Sequence, residues 1–258
     1  MKTTPQMSAN GLVEYCYATA VRRTTIIESA IKPKNFLLDT RYNDIDRATM
    51  DFIESRGTDD KRLLALDQAL LKRNPETSHE EQRLLTAHDA IELCRTLDLS
   101  TLPQGSMSSL PDKQPAFDLE GVSISIRPTN MIVTGQMGKR DKGIGLIKPY
   151  ICKSRPLSIE TSSLHGALLL MYAHRTYEHL GEPRHDLCAV IDIFAQKIFR
   201  APRNYSQRSK MLTAACREIA DRWPSIRARL GSGLINHSQK MRAAAMQIAE
   251  KKVWAQRS

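Results

Sequence analysis

Seven basic residues lie within about 30 positions of one another: Arg127, Lys139, Arg140, Lys142, Lys148, Lys153 and Arg155, with Asp141 the sole acid among them. Placed on adjacent strands and their loops, such side chains would converge on a phosphodiester backbone. Binding of that kind weakens steeply with salt, because each neutralised phosphate releases counterions. Two acids farther on are candidate metal ligands, Glu160 and Asp192. Each also has a plain reading: Glu160 as a first-turn acid favoured by the helix dipole, and Asp192 as a solvated residue between Ile191 and Ile193. Several familiar sites are missing. The chain has no Gly-x-x-x-x-Gly-Lys-Ser/Thr loop, no Gly-x-Gly-x-x-Gly after a strand and no Gly-x-Ser-x-Gly elbow. Its seven histidines form no tight ligand set, and its five scattered cysteines, Cys16, Cys94, Cys152, Cys188 and Cys216, suggest reduced thiols rather than zinc ligands.

The stretch 121–200 reads as a strand ending near Arg127-Pro128-Thr129-Asn130, a turn, a strand ending in Leu146-Ile147-Lys148, a helix, and then Val190-Ile191-Asp192. In that order and with that lysine it resembles the core of the PD-(D/E)XK nucleases. The resemblance implies a restriction-endonuclease-like fold. In the family, an Asp at one strand end and an Asp or Glu two residues before a Lys hold one or two Mg²⁺. The metal neutralises the scissile phosphate and activates water, which the lysine orients. By position Lys148 matches the motif lysine, Leu146 stands where the second acid belongs, and Thr129-Asn130 stands where the first Asp belongs. The lysine is kept and both acids are absent. Some members of the fold carry the second acid on the following helix, where Glu160 stands.

These residues need elements to hold them. Apolar spacing near 3.6 predicts helices over 12–31, 43–55, 60–73 and 78–97, a helical N-terminal region. Residues 100–118, rich in Ser, Pro and Gly, read as a linker or long loop. Alternation at Val122, Ile124 and Ile126 then predicts a strand resuming at 131–133. Further strands are expected over 144–151, with Pro149 at an edge or irregularity, and over 187–199, the latter with a hairpin arm. Helices follow over 158–180, 204–223 (stopped by Pro224) and 238–254. The expected fold is α+β: a helical domain, 1–99, then a linker, then a small mixed β-sheet flanked by helices over 119–258.

Composition sets the partners. The 258-residue chain carries +10, divided into −4 over 1–120 and +14 over 121–258. A segment that basic favours an anionic partner, DNA or RNA first. No apolar run approaches a membrane span, and Met1 to Asn10 lacks the pattern of a secretion signal, so a cytoplasmic protein is expected. Three functional readings follow. The first is a nucleic-acid-binding protein on a degenerate, inactive core that needs no cofactor. The second is a nuclease using Mg²⁺ with Glu160 or Asp192. The third is a regulatory module whose N-terminal helices dock a protein partner through patterned leucines.

Overall fold

The computed structural model describes the backbone of residues 2–32, 36–135 and 142–255, and the side chains of all of these except 36–43, 79 and 233–255. The chain opens with β1 (Gln6–Ser8), α1 (Ala9–Tyr17), α2 (Ala20–Ile31), α3 (Phe36–Glu54), α4 (Lys61–Leu71) and α5 (Ser78–Arg95). Five strands follow: β2 (Ser106–Ser109), β3 (Phe117–Leu119), β4 (Val122–Ser125), β5 (Asn130–Thr134) and β6 (Gly143–Tyr150). The remainder is α6 (Ile159–Tyr177), β7 (Glu182–Pro183), β8 (Ala189–Asp192), β9 (Lys197–Arg200) and α7 (Tyr205–Ala255). Helices flank two sheets, so the fold is α+β.

The main sheet runs β2-β5-β6-β8-β9, with β7 beside β6. The pairs β2/β5, β5/β6 and β8/β9 are antiparallel, and β6/β8 is parallel across the α6 crossover. Every residue of β6 is buried, as befits a central strand covered on both faces. Alternation sorts its side chains. Leu146 and Tyr150 enter a core with Leu12, Tyr15 and Ile27 of the first two helices, Leu164 and Leu168 of α6, and Leu212 and Trp223 of α7. Ile147 enters the opposite core, with Phe52 of α3, Leu63 and Leu70 of α4, and Ile91 of α5.

Packing runs across the expected boundary at residues 100–118. Helix α6 lies on one face of the main sheet with α1 and α7 packed against it, and α3 lies on the other with α4 and α5 packed against it, so helices from residues 1–99 share both cores with the strands. The patterned leucines expected to dock a partner, Leu63 and Leu70 among them, are buried in the core that α4 shares with α3 and α5. Residues 106–109 are a strand rather than linker. The Ser-Met-Ser-Ser sequence looks like loop because composition reports side chains, whereas an edge strand is held by its backbone ladder, here Ser106↔Val133 to Ser109↔Asn130. The sequence 12–31 divides at Thr19, whose hydroxyl caps α2 at the Arg22 amide, 3.4 Å away. Strand β4 does not resume as β5. It joins a separate sheet, β1-β4-β3, and Arg127, with φ of 54°, turns the chain between them. Pro149 lies near the end of the central strand, not at an edge, opposite Ile191 of β8. Pro224 sits inside α7, between the buried Trp223 and Ile226 that anchor that turn.

Gly145 lets β6 approach the backbone before β8: a Cβ there would lie 2.2 Å from the Leu187 carbonyl oxygen. Because the obstacle is main chain, Gly145→Ala should cost about 3 kcal/mol or more. Urea unfolding of the variant is expected to show a lower midpoint, and an unchanged midpoint would contradict this packing.

Candidate functional site

The site begins with a clamp between β5 and α3. The Asn130 side-chain amide donates to the Met50 carbonyl at 3.1 Å, and the Thr129 hydroxyl donates to Asn130 Oδ1 at 2.7 Å. The Thr129 amide donates to the Ile147 carbonyl at 2.8 Å, tying the same corner to β6. Asn130 is fully buried, so this amide is structural and unavailable as a ligand. Met50 and Asp46 are one helical turn apart on α3. The clamp therefore fixes Asp46 over the end of β6, where Lys148 emerges.

A cleft of about 860 Å³ opens there, between the first two helices, β4, β6 and α3. Its lining includes Lys2, Arg22, Arg127, Lys148 and Arg155 against the acids Glu14 and Asp46. A neighbouring pocket of about 240 Å³ shares Asp46, Arg127 and Thr129 with it, and adds Arg47, Asp112 and Lys113. Lys148 is 9% exposed and its ammonium donates to the Pro149 carbonyl at 3.1 Å. Burial pushes its pKa down, the Asp46 carboxylate opposes that shift, and Arg127 adds to it. Asp46 is pushed up by burial and pulled back by Lys148 and Arg127. His165 of α6, buried and edge-on to Tyr150, is held down at about 3 by burial and then by the Lys148 charge. Its Nδ1 has no hydrogen-bond partner among the described residues.

Three of the seven predicted basic residues meet here: Arg127, Lys148 and Arg155. Arg155 pairs with Glu14, which also takes two hydrogen bonds from Arg22, at 2.8 and 2.5 Å. Lys153 is drawn instead to Asp89 of α5, 2.6 Å away. Lys142 precedes the opposite end of β6, about 20 Å of strand from Lys148, and its carbonyl accepts from the Glu182 amide at 2.7 Å. Lys139 and Arg140 lie outside the described residues.

Neither candidate acid lines the cleft. Glu160 is exposed in the first turn of α6 and accepts from the Ser158 hydroxyl at 2.7 Å, a bond that lowers its pKa. Asp192 is fully buried rather than solvated, with one oxygen accepting from the Leu157 amide at 2.7 Å and the other from the Ala195 amide at 3.0 Å. Its carboxylate closes the β8–β9 turn and the entry to α6. Among the described residues no group of three His, Cys, Asp or Glu gathers to hold a metal ion, all five cysteines are unpaired, and no helix is long and apolar enough to cross a membrane. Sequence reading missed Asp46, Arg22 and Lys2. No local signal marks them, since each is a polar residue in the half of the chain read as a separate domain.

No family model matches the chain. A 29-residue stretch is 86% identical to a protein of Sinorhizobium fredii named as a MucR family transcriptional regulatory protein, y4pD. The stretch is 11% of this chain and 17% of that protein, so the two share well under two thirds of the relative's length.

The depressed His165 pKa has a signed consequence. Between about 3 and the unperturbed 6.5 the unfolded chain binds a proton that the folded one refuses, so this residue makes stability rise with pH across that window. Its share of the slope approaches about 1.4 kcal/mol per pH unit. Unfolding followed at pH 4.5 and pH 7 should therefore show a smaller acid loss for His165→Leu than for the natural chain.

Proposed function

We propose that this protein binds nucleic acid through the cleft around Lys148, on a degenerate and catalytically silent core of the PD-(D/E)XK type. The observation that carries the reading is the cleft itself. Five basic side chains and two acidic ones line a concavity whose floor is a lysine on the central strand. A low-dielectric groove with an excess of one sign of charge concentrates counter-ions, and a polyanion is the counter-ion that fills it best. The order β5, β6, α6, β8 supports the nuclease-like core, with Lys148 near the end of β6, although Thr129-Asn130 opens β5 instead of closing the strand before it, which is β4 of the other sheet. Leu146 supports the loss of catalysis, because the position of the second acid faces an apolar core. The 29-residue likeness to a protein named as a transcriptional regulator favours DNA as the first polyanion to test.

The nuclease alternative draws less support. A Mg²⁺ ion on Asp192 would have to displace two backbone amides, and Glu160 lies on the solvent side of α6. Binding should depend on charge more than on sequence, because the cleft presents cations rather than a helix aimed at base edges.

Arg127 and Arg155 are exposed, so their reversal leaves the core intact. Arg127→Glu/Arg155→Glu should weaken retardation of duplex DNA in a low-salt gel about tenfold or more. It should also reduce the dependence of log affinity on log salt by about two. Equal retardation by the variant and the natural chain would overturn the reading.

A further inference from the structure

We propose that the floor of this cleft, between Lys148 and Asp46, receives a terminal phosphate monoester, so that the protein binds nucleic-acid ends rather than the interior of a strand. The inference rests on the nucleic-acid reading above and adds the class of ligand.

Three observations lead to it. The first is depth. Lys148 is 9% exposed, whereas the rim cations Arg22 and Arg155 have side chains 50% and 56% exposed. A continuous backbone crossing the rim can meet the exposed guanidinium groups, but its bridging phosphates are flanked by sugars on both sides. A terminal phosphate has one free side and can descend to the floor.

The second is unused bonding capacity. The Lys148 ammonium has three protons and gives one to the Pro149 carbonyl; among the described residues it makes no other hydrogen bond and closes no ion pair. Two donors on a buried cation are thus left for an acceptor from outside, and leaving them empty is costly.

The third is the acid. Asp46 faces the same space, lines both the cleft and the smaller pocket, and makes no hydrogen bond with a described residue. A diester phosphate carries one negative charge and no proton, so Asp46 repels it. A monoester has a second ionisation near pH 6, so its singly charged form bears a P–OH. That form accepts from Lys148 and donates to Asp46, filling both vacant capacities at once. The raised affinity of Asp46 for protons gives the same arrangement with the shared proton on the carboxyl and the phosphate doubly charged.

The test uses the full chain and four probes of one sequence: a duplex with 5′-phosphates, the same duplex with hydroxyl ends, the same duplex with 3′-phosphates, and a closed circle. Fluorescence competition is expected to place a phosphorylated duplex at least tenfold tighter than the hydroxyl duplex and the circle, and to show which end is read. Lys148→Met should bring the phosphorylated duplex down to the level of the hydroxyl one. A native-like far-ultraviolet circular dichroism spectrum and a cooperative urea transition report that the variant has folded, and Asp46→Asn, isosteric, should narrow the preference severalfold. Equal binding of circle and phosphorylated duplex would overturn the end assignment while leaving the nucleic-acid reading intact. A nucleoside monophosphate that binds as tightly as the phosphorylated duplex would overturn it in favour of a free nucleotide. Failure of every probe to bind would remove both.

Discussion

Everything distinctive about this molecule follows from placing one ammonium group on the central strand of a sheet that is covered on both faces. A lysine there loses most of its water, and the loss must be answered locally. Part of the answer is the Pro149 carbonyl, and part is the Asp46 carboxylate facing it across the cleft. A further part is negative: His165, within the field of the same charge, stays neutral. The arrangement leaves the ammonium with bonding capacity that no described residue uses.

The clamp of Asn130 on Met50 explains how that balance is kept. Helix α3 belongs to the layer on one face of the sheet, while Lys148 shares its face with Leu146 and Tyr150 on the other. An acid from α3 can oppose the lysine only if the helix is pinned where the sheet ends, and a buried side-chain amide bonded to main chain is a stiff pin. The other rim is pinned differently. Glu14 of α1 holds Arg22 and Arg155 together through exposed ion pairs that contribute modestly to stability but set where the guanidinium groups stand. One wall of the cleft is therefore rigid and the other is held by solvent-screened charge.

Much of the fold was legible. The helices at 60–73, 78–97 and 158–180 and the strand at 144–151 announce themselves by periodicity, because each buries one face or both and the pattern records it. Lys148, Arg127 and Arg155 were legible as a basic cluster. Lys153 was legible as basic but not as a partner of Asp89, since that pairing depends on where α5 lies. Asp192 was misread as solvated because alternation between two isoleucines says only that it faces the other way. The other side of β8 is also covered, and two backbone amides satisfy the carboxylate there.

Sequence alone determined most of the helices and the central strand, the surplus of positive charge after residue 120 and the presence of a lysine at a strand end, because local pattern and composition encode burial and charge directly. Tertiary structure alone decided that helices from residues 1–99 share both cores with the sheet, that the Ser-rich segment 106–109 is an edge strand, and that Asp46 rather than Glu160 or Asp192 faces Lys148. These outcomes depend on backbone ladders and on contacts between positions about 100 apart in the chain. Neither leaves a mark in the local order of residues.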